Sequence, residues 1–243
     1  VKSADEIELM RDCGAILAEL LDNVKREVKA GISTGTLDEW VAEEMKRRGV
    51  AASFKGYHGY PASVCVSIND EVVHGIPGSR VMREGDVVSI DLGVFHHGFH
   101  TDAAVTVGVG KISERAARLI NVTRESLAAG LKYARAGNHV GDISAAVQRQ
   151  VEDAGLSVIR EYTGHGVGRE LHEEPQIPNF VSGGKGPLLR PGMTLAIEPM
   201  VTAGGWRTRV AANRWTVLTL DGSLAAHFEH SVAITDGEPV VFA

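Results

Sequence analysis

The feature that most constrains the fold of this 243-residue chain is an internal repeat in its pattern of glycine, apolar and acidic residues. Three patterns recur in the same order, two of them at nearly the same distance, which predicts a single domain, 1–243, with halves of roughly 1–110 and 111–243. Coincidence among similar strand and loop patterns is the alternative. The longer distance of the third pattern predicts an insertion around 201–222. The patterns are Gly31-x-x-x-Gly35-x-Leu37-x-x-x-Val41 with Gly137-x-x-x-Gly141-x-Ile143-x-x-x-Val147, Arg83-x-Gly85-x-x-Val88-x-Ile90-Asp91 with Arg190-x-Gly192-x-x-Leu195-x-Ile197-Glu198, and Asp102-x-x-Val105-x-Val107 with Glu229-x-x-Val232-x-Ile234.

Each half begins with helical periodicity and continues with β-branched runs. Two helices are predicted in the first 50 residues, one capped by Ser3 and one beginning with a capping box at 36–39, and two more at 113–135 and 140–154. Helices and strands are therefore grouped rather than strictly alternating, which favours an α+β fold. The runs predicted as strands are 64–68, 87–90 and 104–107, with His96-His97-Gly98 as an exposed hairpin turn between the last two.

The repeat also places paired acids beside apolar strands. Asp91 and Glu198 are predicted to end a strand in their respective halves, whereas Asp102 and Glu229 are predicted to begin one. If the halves pack about a pseudo-twofold axis, these four carboxylates converge. Four carboxylates repel one another unless cations neutralise them, and two divalent ions a few ångströms apart would do so.

Composition excludes several classes of protein. With 25 Lys+Arg against 31 Asp+Glu, the chain is not expected to bind nucleic acid as its main task. No apolar run approaches the ~18 residues of a membrane helix, and no signal segment is recognisable. Its two cysteines, Cys13 and Cys65, form no CxxC motif, so we expect a reducing cytoplasmic environment rather than a disulfide scaffold.

The densest chemical feature is a glycine-rich segment, 163–175, with two histidines. His165 lies between glycines, which suits close backbone approach, and His172 follows seven residues later. A glycine-rich surface turn with two ordinary histidines is the alternative interpretation. The other glycine-rich stretch, 183–187, lacks the strand, helix and Lys-Ser/Thr ending of a phosphate-binding loop.

Taken together, these segments resemble the type I methionine aminopeptidases, which have the pita-bread metallopeptidase fold. The resemblance covers nearly the whole chain and implies two pseudo-twofold-related halves around a central antiparallel sheet. The matching segments are 57–69, Val73-His74-Gly75-Ile76-Pro77, Ser89-Ile90-Asp91, His100-Thr101-Asp102, 163–175, Ala196-Ile197-Glu198-Pro199 and His227-Phe228-Glu229-His230.

The resemblance implies five ligands for two divalent metal ions. Asp102 and Glu229 would bridge both ions, Asp91 would complete one site, and His165 and Glu198 would complete the other. A carboxylate-rich set with one imidazole suits manganese, iron(II) or cobalt better than structural zinc. The ions would generate a bridging hydroxide as nucleophile near neutral pH.

The resemblance also implies catalytic roles for three side chains in removing N-terminal methionine before a small second residue. Glu198 would shuttle the proton toward the leaving amine. His172 would stabilise the oxyanion or the scissile carbonyl, and His74 would contact the substrate backbone or leaving nitrogen. Without the resemblance, His74 is equally well explained as a turn histidine.

A methionine pocket is implied at Tyr57, Tyr60, Cys65 and Trp215, because aromatic and sulfur groups suit a thioether. Ordinary core or surface aromatics are the alternative for Tyr57 and Trp215. Two further pocket positions depart from the family pattern: Phe54 stands where a small residue is usual, and Leu171 where an aromatic is usual. In the family, the stretch equivalent to Asn69-Asp70-Glu71 can help to order a monovalent cation.

Two competing functions remain at this level. A prolidase or proline-specific aminopeptidase has the same fold, but usually carries a large N-terminal domain for which 243 residues leave no room. A metal-free relative that binds peptides, ribosomes or chromatin would be expected to lack ligands that are all present here. The expected partners are nascent polypeptide N-termini, including those at the ribosome, for a monomer that needs neither nucleic acid nor a membrane.

Overall fold

The computed structural model describes all residues, 1–243, as four helices and fifteen strands with a short 3-10 turn at Tyr57–Gly59. The helices are α1 Ala4–Glu27, α2 Thr34–Arg48, α3 Glu114–Leu131 and α4 Val140–Asp153. The strands are β1 Ala51–Ala52, β2 Cys65–Ile68, β3 Glu71–Val73, β4 Val87–His96, β5 Phe99–Gly108, β6 Ser157–Val158, β7 Gly164–Gly166, β8 Glu173–Ile177, β9 Thr194–Ile197, β10 Met200–Thr202, β11 Thr208–Val210, β12 Val217–Thr219, β13 Ala225–His227, β14 Glu229–Ala233 and β15 Val240–Val241.

All four predicted helices are present, and their ends follow from capping. Ser3 caps α1 as predicted: its hydroxyl accepts the backbone N–H of Glu6, whose carboxylate accepts the N–H of Ser3. The capping box predicted at 36–39 is wrong, because Ser33 caps α2 instead and accepts the N–H of Thr36. A β-bridge to Val81 holds Ser33 in an extended conformation, so the helix begins directly after it. None of the helices is both long and apolar enough to span a membrane.

One antiparallel sheet runs through both halves of the chain. Its main path is β1-β4-β5-β14-β9-β7-β8, with β2 added on β4 and β15 on β14. The two halves meet where β5 pairs with β14. The α+β class and the central antiparallel sheet are thus confirmed.

Each half has its own hydrophobic core of 18 buried residues. In the first half, α1 and α2 cover β4, and in the second, α3 and α4 cover β9 and β14. Val105 of β5 contacts both cores. Burial of each large aliphatic side chain contributes about 1.5–3 kcal/mol, so each core stabilises its own half while the sheet joins them.

The two faces of the sheet differ because side chains alternate along a strand. Ile90 and Leu92 belong to the first core, and Leu195 and Ile197 belong to the second. Asp91, between the first two, therefore points away from the helices. The helices cover one face, and the opposite face carries the acids.

The predicted strand-end positions of the acids are correct for the second half and wrong for the first. Glu198 directly follows β9 and Glu229 begins β14, but Asp91 and Asp102 lie within the ten-residue strands β4 and β5. The predicted runs 87–90 and 104–107 are too short because pairing continues to the hairpin turn at His97-Gly98. Hydrogen bonding between the two strands extends both beyond the predicted runs, through Asp91 in β4 and through the polar residues 100–102 in β5.

The segment predicted as an insertion, 201–222, contains the hairpin β11–β12. Its second strand pairs with β3 of the first half, and its connecting loop carries Trp215. The segment is therefore an ordered hairpin that is joined to the first half.

Candidate metal centre and active site

The register of the central sheet places five predicted ligands on one face. Asp91 lies opposite Ala104, which in turn lies opposite Glu229. Directly opposed residues of antiparallel strands point to the same face, as do residues two apart, so Asp102 joins them.

The remaining two ligands reach the same face through β9. Ala196 pairs with Ser231 on one side and with His165 on the other. Ser231 lies two residues after Glu229, and Glu198 lies two residues after Ala196. All five side chains therefore converge where β4, β5, β14, β9 and β7 pass side by side.

The five side chains lie close together and are largely buried. Asp102, His165 and Glu229 each place one ligand atom within 4.8 Å of the others. His165 Nε2 lies 3.4 Å from Glu198 Oε1. The exposed fraction is 9% for Asp91, 4% for Asp102 and 2% for Glu229.

This burial makes the ionised carboxylates costly without a cation. Desolvation raises the pKa of Asp102 to about 7 and, together with neighbouring acids, raises the pKa of Asp91, Glu198 and Glu229 well above the ordinary range. One carboxylate oxygen on each of Asp91, Asp102 and Glu229 is buried with no hydrogen-bond partner. Unpartnered carboxylate oxygens beside an imidazole are a donor set that fits divalent cations.

The Gly-His-Gly sequence is required by close strand packing. A Cβ on Gly164 would lie 2.4 Å from the Ala196 carbonyl oxygen, and one on Gly166 would lie 2.4 Å from that of Glu174. The ring of His165 is also fixed, because its Nδ1 lies 2.8 Å from the Gly166 carbonyl oxygen and leaves Nε2 facing the acids.

Two further predicted histidines border this cluster. The His172 ring lies 4.2 Å from the His165 ring, and its Nδ1 is 2.8 Å from the Tyr57 hydroxyl. The His74 ring packs edge-on against Trp215 at 6.4 Å. Burial lowers the pKa of His172 and lowers that of His74 to about 4, so both imidazoles are neutral at neutral pH.

A cavity of about 360 Å³ opens over the acids, and fourteen residues line it. Thirteen of these are the predicted site residues and the fourteenth is His58. One wall is an apolar cluster in which the Tyr60 hydroxyl donates to the Gly75 carbonyl, 3.0 Å away. The predicted lining residues are Phe54, Tyr57, Tyr60, Cys65, His74, Asp91, Asp102, His165, Leu171, His172, Glu198, Trp215 and Glu229.

Sequence reasoning missed two histidines at this site. His58 lines the cavity from the 3-10 turn, where its backbone has a positive φ of 47°. Nothing in the sequence around His58 predicted this position. His227 is buried beside Glu198 and Glu229 at the end of β13. Its position two residues before Glu229 was the available signal, because residues at that spacing share a face of an extended chain.

The turn predicted to help order a monovalent cation is tied into the protein. Asn69 donates through Nδ2 to Asp86, 2.9 Å away, and accepts the N–H of Val87 through Oδ1. Its backbone carbonyl accepts the N–H of Ala225. These bonds join β2 and β3 to β4 and β13, and cation binding at this turn stays a prediction.

Comparison with known proteins gives one consistent family. The model of metallopeptidase family M24 matches residues 8–236. Methionine aminopeptidase 1 of Bacillus subtilis is 50% identical over 235 residues, covering 97% of this chain and 95% of that protein. The crystal structure of a methionine aminopeptidase from Thermotoga maritima superposes with a TM-score of 0.97 at 46% identity, covering 100% of this chain and 98% of that one. A Xaa-Pro dipeptidase from Bacillus anthracis shares the fold alone, with a TM-score of 0.78 at 21% identity over 100% of this chain and 61% of its own.

Proposed function

The chain belongs to metallopeptidase family M24, and on that premise we propose that it hydrolyses N-terminal methionine from peptides and nascent polypeptides, preferring a small second residue. The observation that carries the proposal is the convergence of four buried carboxylates and His165 beneath a cavity with an apolar wall. An amino-terminal residue can enter such a cavity, and its peptide bond can then lie over the acids.

Two divalent ions fit the donor set on the common face. Asp102 and Glu229 would bridge them, Asp91 would complete one site, and His165 and Glu198 the other. The unpartnered oxygens of Asp91, Asp102 and Glu229 support this assignment. Bound manganese, iron(II) or cobalt would supply Lewis acidity and a hydrolytic nucleophile at neutral pH.

Three of the chain's own side chains would handle protons and charge. Glu198 lies at the edge of the acid cluster, where its raised pKa suits a group that takes a proton and passes it to the leaving amine. His172, held by Tyr57, would donate to the developing oxyanion. His74 would contact the substrate backbone or the leaving nitrogen.

The apolar wall would select the side chain. Tyr57, Tyr60, Cys65 and Trp215 offer aromatic faces and sulfur to a thioether. Phe54 and Leu171 are both buried in this wall. The large side chain of Phe54, where the family usually has a small residue, therefore lies in the same cluster as Leu171, which replaces the usual aromatic residue. We propose that together they keep the pocket selective for an unbranched side chain.

The setting of the activity follows from the same proposal. The chain would act as a single catalytic domain, 1–243, because one sheet continues through both halves. Nascent chains at the ribosome in the cytoplasm would be its substrates, and it would act as a monomer. Its net charge of −6 and its two buried free cysteines accord with a task that involves neither nucleic acid nor disulfides.

The experiment that tests the proposal is a metal-titrated assay across Met-Xaa and Xaa-Pro peptides. Metal-free protein should be inactive, and addition of Mn²⁺ or Co²⁺ should restore cleavage after methionine with preference for Met-Ala and Met-Gly. Equal cleavage of Xaa-Pro peptides would favour the proline-specific relatives instead. Full activity after exhaustive chelation would contradict the metal-dependent mechanism.

A further inference from the structure

His227 carries a buried imidazole that is not among the five predicted metal ligands. It is 1% exposed, and neither Nδ1 nor Nε2 has a hydrogen-bond partner. An unpartnered polar group in the interior is costly, so native structures rarely contain one without a functional reason.

The ring nitrogen is aimed at two of the proposed ligands. His227 Nε2 lies 3.6 Å from Glu198 Oε2 and 3.8 Å from Glu229 Oε2. Both distances are too long for hydrogen bonds. They do suit ligand atoms of one metal ion, since metal bonds of about 2.0–2.2 Å place neighbouring donors roughly 3–4 Å apart.

Hydrogen bonds fix the backbone from which this ring extends. The Thr106 hydroxyl accepts the N–H of His227 at 2.8 Å and donates to its carbonyl at 2.7 Å. The residue also pairs with Met200 across β10 and β13. A backbone fixed in this way, together with the burial of the side chain, favours a preorganised ligand.

The two imidazoles occupy opposite oxygens of one carboxylate. His165 Nε2 faces Glu198 Oε1 at 3.4 Å, whereas His227 Nε2 faces Glu198 Oε2. We propose that His227 supplies, through Nε2, a sixth protein ligand to the metal pair, on the side of Glu198 opposite His165. The proposal rests on the proposed function, because it requires that the acids bind divalent ions.

A second nitrogen donor has a chemical consequence. Imidazole favours iron, cobalt and zinc, whereas a purely carboxylate environment suits manganese and magnesium. His227 would therefore strengthen the binding of Co²⁺ and Fe²⁺ relative to Mn²⁺. This selectivity can be measured without any turnover.

The test compares His227→Gln with His230→Gln as a matched control. His230 lies next to Glu229 on β14, but its side chain points to the opposite face, and its Nδ1 lies 2.7 Å from the Ala243 carbonyl oxygen. Metal-free proteins are titrated with Co²⁺ and Mn²⁺ in a calorimeter, and the visible absorption of the Co²⁺ forms is recorded. H227Q should bind Co²⁺ at one site at least about tenfold more weakly, with a changed spectrum and a smaller loss for Mn²⁺. H230Q should match the wild type.

A second measurement needs only the wild-type protein. In a Zn²⁺ titration followed by ¹⁵N NMR of the histidine rings, two Nε2 signals should shift on coordination rather than one. This result stands even if H227Q folds poorly. A wild-type spectrum with one coordinated ring, or an H227Q variant with wild-type Co²⁺ affinity and spectrum, would overturn the role of His227.

The outcomes separate this proposal from the broader one. If the wild type binds two ions and cleaves Met-Ala while His227 proves uncoordinated, only the sixth ligand fails. If the wild type binds no divalent ion, both proposals fail. If H227Q loses the preference for Co²⁺ over Mn²⁺ and H230Q keeps it, both proposals are supported.

Discussion

At the scale of single residues, the site depends on glycines at which any side chain would meet neighbouring backbone. Gly164 and Gly166 flank His165 and allow β7 to lie against β8 and β9. The metal centre is thus shaped by missing side chains as well as by those that would bind the ions.

Gly166→Ala tests this requirement. The added methyl group would meet backbone atoms rather than a movable side chain, so we expect a loss of roughly 1–3 kcal/mol in unfolding free energy and weaker metal binding. Urea denaturation and calorimetric metal titration would measure the two effects. The matched control is Gly78→Ala, where nothing lies within 4 Å of the added Cβ. Equal behaviour of the two variants would contradict the close-approach argument.

Leu171→Ala tests the selectivity of the pocket. Leu171 is 2% exposed and packs in the apolar wall, so its truncation should lower kcat/KM for Met-Ala peptides about tenfold or more, with less effect on peptides that begin with a bulkier residue. Steady-state kinetics on both peptide classes would measure this. Leu220→Ala, at a residue 55% exposed, is the control. An unchanged ratio between peptide classes would show that Leu171 does not shape the pocket.

Glu198→Gln tests the proposed proton shuttle. The amide keeps a ligand oxygen but cannot carry the proton, so turnover of Met-Ala should nearly vanish while metal binding persists in weakened form. Activity and Co²⁺ binding should be measured on the same preparation. Retention of wild-type kcat in the metal-loaded variant would rule out this role.

At the scale of elements, the hairpin β11–β12 and the loops beside it form one side of the site. Asp221 ties the end of this hairpin to the preceding turn. Its carboxylate accepts the N–H of Gly205 at 2.7 Å and of Ser223 at 3.0 Å. These hydrogen bonds, above all the one from Gly205, lower the pKa of Asp221 to about 2.

Asp221→Ala should therefore have a pH-dependent cost. Because the folded pKa is about 2 and the unfolded value about 3.9, the stabilisation is complete above pH 4 and declines as the pH falls toward 2. The side chain is largely exposed, so solvent screening limits the effect at pH 7 to less than about 1 kcal/mol. Urea denaturation at pH 7, 5 and 3 should show a constant difference at the first two values and a smaller one at the third. Asp236→Ala, at an exposed turn, is the control, and a difference independent of pH would contradict this account.

At the scale of the whole molecule, the proposed ligands come from both halves. Asp91 and Asp102 lie on β4 and β5, whereas Glu198 and Glu229 lie at β9 and β14. Bound ions would therefore link the two hydrophobic cores.

Removal of metal should destabilise the entire chain. At a free metal concentration near 100 times Kd, binding adds about 2.7 kcal/mol, which corresponds to a rise in Tm of roughly 5–10 °C for a chain of this size. Calorimetric scans with and without a chelator would measure the shift. Both cores should unfold together in the loaded protein, and an unchanged Tm would contradict ion binding between the halves.

Periodicity predicted the helices and several strands, and resemblance predicted the family. The strand bounds and the position of His227 depend on strand pairing. The helices follow from apolar spacing and caps such as Ser3, and the fold and the family were confirmed. The parts of β4 and β5 next to their hairpin turn, 91–96 and 99–103, could not be predicted locally, because hydrogen bonds between the two strands, rather than residue preference, maintain them. The position of His227 beside the acids was not predicted from the sequence either. It depends on tertiary structure, because β13 and β14 belong to different sheets.

The junction of β5 with β14 also bears on how such a chain could arise. A protein made of one half would hold only two of the four acids, and it could gather all four only by pairing with a second copy of itself. Its site would then have formed only at concentrations that favoured the dimer. Joining two copies in one polypeptide removes that dependence and lets each copy change separately, as the extra hairpin after β10 illustrates.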